Sequence, residues 1–182
     1  MNEELEVLKD ICQRLEGAKM AYMITGSIAA NAYAIPRMTR DIDVVIEIGP
    51  DSVDQLCILF QNDFYMDKSS VIDAVKKEGM FNIIHNKYII KVDFVVRKNS
   101  VYRQKEFSRR CQYDIEGIKV WVVSPEDLVL SKLFWAKDSF SELQTRDVKN
   151  LLESVKNLDM PYIEQWVEAL QLNKVYEMVK NG

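Results

Sequence analysis

The chain has 182 residues, 48% of them apolar and 29% charged, with a net charge of −4. That composition excludes a disordered chain and a broadly basic nucleic-acid surface, leaving room for local basic patches, notably Arg97–Arg110. Three widely spaced cysteines without a C-x-x-C pair, a lone histidine (His85) and apolar runs far too short for a membrane span argue against a zinc site and a membrane protein, and for a reduced, cytoplasmic one.

The opening segment, MNEELEVLKD, is charged and lacks the apolar stretch of a signal peptide. It reads instead as the start of a helix. Asn2 is placed to cap it, acids sit near its positive end, and Leu5, Leu8, Ile11, Cys12 and Leu15 form an apolar stripe that stops at Gly17. Ala21–Thr25 has strand character and ends at Gly26-Ser27. Ser27 is suited to cap a short helix, Ile28–Ala34, which Pro36 ends, since the residue before a proline disfavours helical geometry. After the basic loop Arg37–Arg40, Asp41–Ile48 is the second strand, broken by Gly49-Pro50. A helix capped by Asp51 or Ser52 runs to about Asn62.

Residues 63–79 are harder to read, with Val71–Lys77 open to a short helix. Met80–Ile84 and Tyr88–Val96 read as a hairpin turning at His85-Asn86-Lys87. Residues 100–112 are mixed basic and aromatic and open to a helix, and Ile118–Val123 is another strand. Ser124-Pro125-Glu126-Asp127 is a strong helix start. From there the pattern is helical: Pro125–Lys137, Ser141–Val155 with a Ser141/Gln144 capping box, Pro161–Leu170 and Asn173–Val179.

Three acids stand out against this background. Asp41 and Asp43 alternate with Ile42 and Val44, so on a strand both project to one face, about 6–7 Å apart. Asp93 interrupts the apolar strand Ile89–Val96, where an unpartnered carboxylate is costly. If the two strands are neighbours, a divalent cation answers for all three, and carboxylate oxygens suit Mg²⁺ or Mn²⁺. Gly26-Ser27, at a strand-to-helix turn, suits phosphate: the helix N-terminus offers free N–H groups, and glycine permits close approach. A plain helix cap is the simpler alternative. Arg37 and Arg40 either bring charge to the phosphates or are solvated loop arginines. Lys132, on an apolar helical row, either snorkels outward or reaches a phosphate, whereas Asp147 reads as the ion-pair partner of a lysine. Trp121, Trp135 and Trp166 read as packing residues, with stacking on a nucleobase open to one of them.

Ile24-Thr25-Gly26-Ser27, then thirteen residues, then Asp41-Ile42-Asp43-Val44, and later Val92-Asp93-Phe94, fall in order on the expected elements. This arrangement resembles the signature of the polymerase β-like nucleotidyltransferase superfamily: h-G-[GS], a short spacer, D-h-[DE]-h and a distant h-[DE]-h. The resemblance implies an α+β fold. A mixed-sheet core over residues 1–123 would be backed by helices and followed by a helical region, 124–182, packed on it. It implies a metal-dependent enzyme that moves a nucleoside monophosphate from an NTP such as ATP to an acceptor hydroxyl on a tRNA, a protein or a small molecule. By the same resemblance Asp41, Asp43 and Asp93 are catalytic and hold Mg²⁺ or Mn²⁺, and Gly26 and Ser27 hold the triphosphate, joined by Arg37, Arg40 and Lys132. Arg37-x-Thr39-x-Asp41-Ile42-Asp43 and the helical tail look like AbiEii-type bacterial nucleotidyltransferases. That likeness adds a toxin–antitoxin or phage-defence setting with a toxin or antitoxin partner. The alternative is a nucleotidyltransferase-like antitoxin or binding module that sequesters a partner protein. A small-drug resistance enzyme is a third reading.

Overall fold

In the computed structural model, which describes residues 3–139 and 141–181, the sequence alternates short helices with strands until residue 122 and is helical thereafter. The capping role predicted for Asn2 lies outside the described residues. The strands are β1 (Tyr22–Thr25), β2 (Asp41–Ile46), β3 (Phe64–Met66), β4 (Met80–His85), β5 (Lys91–Val96), β6 (Cys111–Ile115) and β7 (Ile118–Val122). They join in one mixed sheet in the order β3-β4-β5-β2-β1-β7-β6. The first five helices are α1 (Glu3–Gly17), α2 (Gly26–Tyr33), α3 (Val53–Phe60), α4 (Lys68–Lys77) and α5 (Val101–Ser108). The tail holds α6 (Pro125–Ser139), α7 (Glu142–Ser154), α8 (Met160–Ala169) and α9 (Asn173–Asn181).

The centre of the sheet is the parallel pair β2–β5, flanked by antiparallel neighbours β1 and β4. Alternation along this pair separates an apolar face from a chemical one. Ile42, Val44 and Ile46 on β2, with Val92, Phe94 and Val96 on β5, are buried in the hydrophobic core. They join Leu8, Ile11 and Leu15 of α1 and Leu56 and Phe60 of α3 in one cluster. The Phe94 ring stacks on Phe81 at 5.0 Å and meets Phe60 at 6.1 Å. Each such side chain stabilises the fold by about 1.5–3 kcal/mol relative to leaving it in water. The opposite face carries Asp41, Asp43, Lys91 and Asp93, and its position is fixed by that burial, because slipping either strand by one residue would put the acids in the core.

The tail is tied to the sheet at the start of α6. The Asp127 N–H donates to Ser124 Oγ at 3.2 Å, as the predicted cap requires, and the serine hydroxyl returns a bond to Asp127 Oδ2 at 2.7 Å. Arg109 Nε and the Tyr162 hydroxyl complete the fully buried Asp127 carboxylate at 3.0 and 2.8 Å, linking α6 to the end of α5 and to α8. Half of the six basic residues in the stretch 97–110 are neutralised in this way: Arg97 pairs with Glu47, Arg103 with Glu106, and Arg109 with Glu126 and Asp127.

Several local expectations are corrected. α2 begins at Gly26, with Thr25 in the capping place, so Ser27 lies inside the first turn rather than at the cap. The Ser141/Gln144 capping box does not form: Ser141 makes no side-chain cap bond, and Gln144 Oε1 instead accepts from the buried Lys132 ammonium, which has the stronger demand for an acceptor. Tyr88–Ile90 are loop rather than strand, with Ile89 at φ 54°. The short strands β3 and β6 occupy segments for which no strand is predicted.

Candidate active site

The site begins where β1 runs into α2. Gly26 sits at φ +64°, and a Cβ built there would lie 1.9 Å from Asp43 Oδ2. Only glycine fits, on both backbone and steric grounds. The contact arises from register: Thr25 at the end of β1 pairs with Asp43 on β2, so the turn closes directly over the Asp43 carboxylate. On its other side Asp43 pairs with Asp93 of β5, and Asp41 with Lys91. Neighbouring strands run about 4.8 Å apart, so two carboxylates stand side by side beneath the N-terminus of α2.

The charges on this face are coupled. Burial raises the pKa of Asp43 first, and the neighbouring Asp93 carboxylate raises it further, against the lowering effects of Lys132 and the Ser27 N–H. Lys91 supplies the local counter-charge. Its ammonium lies 2.8 Å from Asp93 Oδ2 and 3.7 Å from Asp41 Oδ2, and its pKa is raised by the bond to Asp93. Asp41 is half-exposed at the outer end of the row.

A second group of charges lies behind Ser27. Its Oγ accepts from Arg37 Nη2. Arg37 Nε and Nη2 reach Asp147 Oδ1 and Oδ2 at 3.1 Å each. Asp147, almost fully buried on α7, also takes Lys132 Nζ at 2.8 Å. Burial alone would raise the Asp147 pKa, but the bonds from Arg37 and Lys132 hold it below the usual carboxylate range. Burial pushes the Lys132 ammonium down, partly offset by Asp147. The expected lysine partner for Asp147 is therefore Lys132 itself.

A cleft of about 530 Å³ opens between the sheet and α6. It is lined by Gly26, Ser27, Asp43 and Lys132 at the turn, and it runs past Val45 and Val95 to Trp135 and Arg97. Asp41, Lys91 and Asp93 lie beside it, towards the N-terminal ends of β2 and β5, so Asp43 stands between the cleft and the carboxylate surface. Of the residues singled out from sequence, Gly26, Ser27, Asp43 and Lys132 share the cleft, and Asp93 and Asp41 adjoin it. Arg37 is held behind Ser27, and Arg40 is exposed and not among the lining residues. Trp135, read as a packing residue, is 55% exposed and lines the groove, whereas Trp166 packs against Tyr102 and Tyr162. Lys91 went unassigned. Strand alternation, which puts it on the face of Asp93, is the signal the sequence offers; its place opposite Asp41 comes only from the sheet register.

A mixed sheet carrying adjacent aspartates under a glycine-serine helix start defines a polymerase β-like nucleotidyltransferase. A family model matches residues 1–180, and the chain belongs to that family, described as nucleotidyltransferases of unknown function (DUF6036). Solved structures agree on the fold. The lincosamide antibiotic adenylyltransferase LnuA, solved with lincomycin bound, is 14% identical with a TM-score of 0.57, covering 83% of this chain and 96% of its own. ANT(2″)-Ia in complex with adenylyl-2″-tobramycin is 12% identical with a TM-score of 0.59, covering 99% and 98%. An antigenic nucleotidyltransferase-like protein from Paracoccidioides brasiliensis is 17% identical with a TM-score of 0.56, covering 94% and 91%. No curated protein matches the chain. Among the described residues, no helix is long and apolar enough to cross a membrane.

The raised pKa of Asp43 carries a stability consequence. A group whose folded pKa lies above its unfolded value contributes stability below the unfolded pKa, and loses it as pH rises through the folded pKa. At neutral pH the ionised Asp43 is therefore a cost. Asp43→Asn, in chelator, is expected to melt at a higher temperature than the parent at pH 7, with the gap narrowing as pH falls towards the carboxylate range. A variant that melts no higher at pH 7 would show that the Ser27 N–H and Lys132 outweigh burial.

Proposed function

We propose that this chain transfers a nucleoside monophosphate from an NTP to an acceptor hydroxyl and releases pyrophosphate. The observation that carries this reading is the register Thr25↔Asp43↔Asp93, which sets two carboxylates against a turn that only glycine can make. Gly26 and Ser27 cradle the triphosphate at the N-terminus of α2, a helix with no acidic residue in its first turn, although the Ser27 N–H is shared with Asp43. Lys132 faces the same groove and offers positive charge to the phosphates. The groove beyond is of a size to hold a nucleoside, and Trp135 on its wall offers a face for the base. The acceptor approaches from the open side, where Asp93 takes the proton of its hydroxyl. The acceptor oxygen then bonds to the α-phosphorus as the bond to the pyrophosphate oxygen breaks.

Asp41, Asp43 and Asp93 form an oxygen-only donor set suited to Mg²⁺ or Mn²⁺. Among the described residues no group of three His, Cys, Asp or Glu side chains is already gathered to hold a metal ion, so the three carboxylates would have to close on it. The Lys91 ammonium, 2.8 Å from Asp93 Oδ2 and 3.7 Å from Asp41 Oδ2, supports the reading in that these oxygens already face a positive charge. When bound, divalent ions would stabilise the attacking and leaving oxygens. The acceptor is a hydroxyl compound, with tRNA, protein and small molecules as the classes to screen. The antibiotic-linked proteins of the same fold put small molecules first.

The test is transfer of α-labelled NTPs, with Mg²⁺, into small-molecule, tRNA and protein pools. Asp41→Asn, Asp43→Asn and Asp93→Asn are each expected to lower transfer by about 10³-fold, the scale at which catalytic electrostatics act. Label transfer that survives all three changes, or its absence from every pool, would sink the reading.

A further inference from the structure

Lys91 is the one group on the carboxylate surface to which the reaction just described gives no work. Its place is tightly specified. It lies two residues before Asp93 on the same face of β5, and directly opposite Asp41 across the parallel pair. Its ammonium bonds one Asp93 oxygen at 2.8 Å and lies 3.7 Å from Asp41 Oδ2. These are oxygens that a divalent ion would need. A carboxylate oxygen engaged by an ammonium cannot also sit in the inner coordination shell of a metal at its usual approach of about 2 Å without the two cations crowding each other. The lysine side chain is 41% exposed, so it has a path away from the site into solvent.

We propose that Lys91 is a built-in counter-ion of the catalytic carboxylates, one that holds Asp41 and Asp93 until a divalent cation loads and competes with that cation for them. The proposal rests on the metal-dependent reading above. Lys91 thus acts through the acids as a positioning residue. In the unloaded protein it keeps Asp41, Asp43 and Asp93 from facing one another without compensation. Its departure is the local cost of loading, so it weakens divalent-ion binding by the enzyme alone. The nucleoside triphosphate, which itself carries a divalent ion, is then what tips the surface into its loaded state.

The experiment is a titration of the full chain with Mn²⁺ alone, without nucleotide, followed by the electron paramagnetic resonance of the free ion and paired with thermal melting in chelator. Lys91→Met removes the charge and keeps the length; Lys91→Arg restores it; Asp93→Asn removes a ligand. Lys91→Met is expected to bind Mn²⁺ about tenfold more tightly than the parent, the effect of one partly exposed unit charge. It should also melt lower in chelator, and Lys91→Arg should return both readings towards the parent. A purely structural salt bridge would lower the melting temperature of Lys91→Met without tightening Mn²⁺. Unchanged or weaker Mn²⁺ binding in a folded Lys91→Met therefore overturns the proposal, and the outcomes separate its failure from that of the metal reading. If the parent binds Mn²⁺ and Asp93→Asn weakens it while Lys91→Met leaves it unaltered, only the counter-ion role falls. If neither the parent nor Lys91→Met binds Mn²⁺, both fall.

Discussion

Replacing Gly26 by alanine is expected to cost about 2–5 kcal/mol of stability and to lower transfer by at least about 10²-fold. Two independent terms add. The backbone at φ +64° costs an L-residue about 1–2 kcal/mol. The new methyl also overlaps the Asp43 carboxylate, with contacts of 1.9 Å to Oδ2 and 2.6 Å to Cγ, an overpacking cost of about 1–3 kcal/mol. Neither term relaxes cheaply. Asp43 is held by pairing on both sides, to Thr25 and to Asp93, and the turn is held by α2. Relief must come from moving the carboxylate, and a displacement of about 1 Å at a reacting centre suffices for a 10²-fold loss. A double-mutant cycle isolates the steric part. In an Asp43→Ala background the two closest contacts vanish, so Gly26→Ala should cost about 1–2 kcal/mol less there than in the parent. Strict additivity in urea denaturation would show that backbone strain alone makes glycine necessary.

The same turn shows what was legible in the sequence and what was not. The spacing from Gly26-Ser27 to Asp41-x-Asp43, and the lone acid in Val92-Asp93-Phe94, are visible because each is a chemical residue interrupting a strongly patterned element, and it is their resemblance to a family signature that implies the fold. The α+β architecture and the helical tail follow from the same patterning. Edge elements were less visible. β3 is three residues long, and in β6 the alternation of Cys111, Tyr113 and Ile115 with Gln112 and Asp114 spans only five largely exposed residues, too short to stand out beside the basic and aromatic segment before it. Side-chain partners across long separations were the least legible. Gln144 looked like half of a capping box because that inference uses only neighbours in sequence, whereas its actual partner is a buried ammonium on another helix. Arg37 likewise reads as a loop arginine until the fold brings Asp147, 110 positions away, against it. Lys91 was hidden for a different reason: its meaning depends on which residue lies opposite on β2, and register is a property of the assembled sheet.

Asp147→Ala is expected to destabilise the protein by about 3–5 kcal/mol, the usual consequence of removing one member of a buried ion pair. The carboxylate holds two cations at once: Oδ2 takes Lys132 at 2.8 Å and Arg37 at 3.1 Å, while Oδ1 takes Arg37 at 3.1 Å. With it gone, Lys132 keeps only the neutral Gln144 oxygen at 3.3 Å while remaining almost fully buried. The sign of the pH dependence follows. Burial already lowers the Lys132 pKa, and loss of Asp147 lowers it further. A lysine depressed in the folded state contributes stability above its unfolded pKa and loses it as pH falls through the folded pKa. The penalty of Asp147→Ala should therefore be largest near pH 7 and shrink as the pH is raised towards 10, when Lys132 sheds its proton. Adding Lys132→Met should recover most of the loss, because a matched apolar side chain tolerates that site where a stranded ammonium does not. Urea denaturation across this pH range checks both points. A loss of equal size at pH 7 and pH 10, unrelieved by Lys132→Met, would assign the effect to packing of α7 rather than charge. The pair also bears on catalysis. Ser27, Arg37, Asp147 and Lys132 form one chain of contacts from the β1–α2 turn through α7 to α6. The helical tail thereby fixes the orientation of the Ser27 hydroxyl, and Asp147→Ala should raise the apparent KM for NTP even at pH 10, where stability has returned.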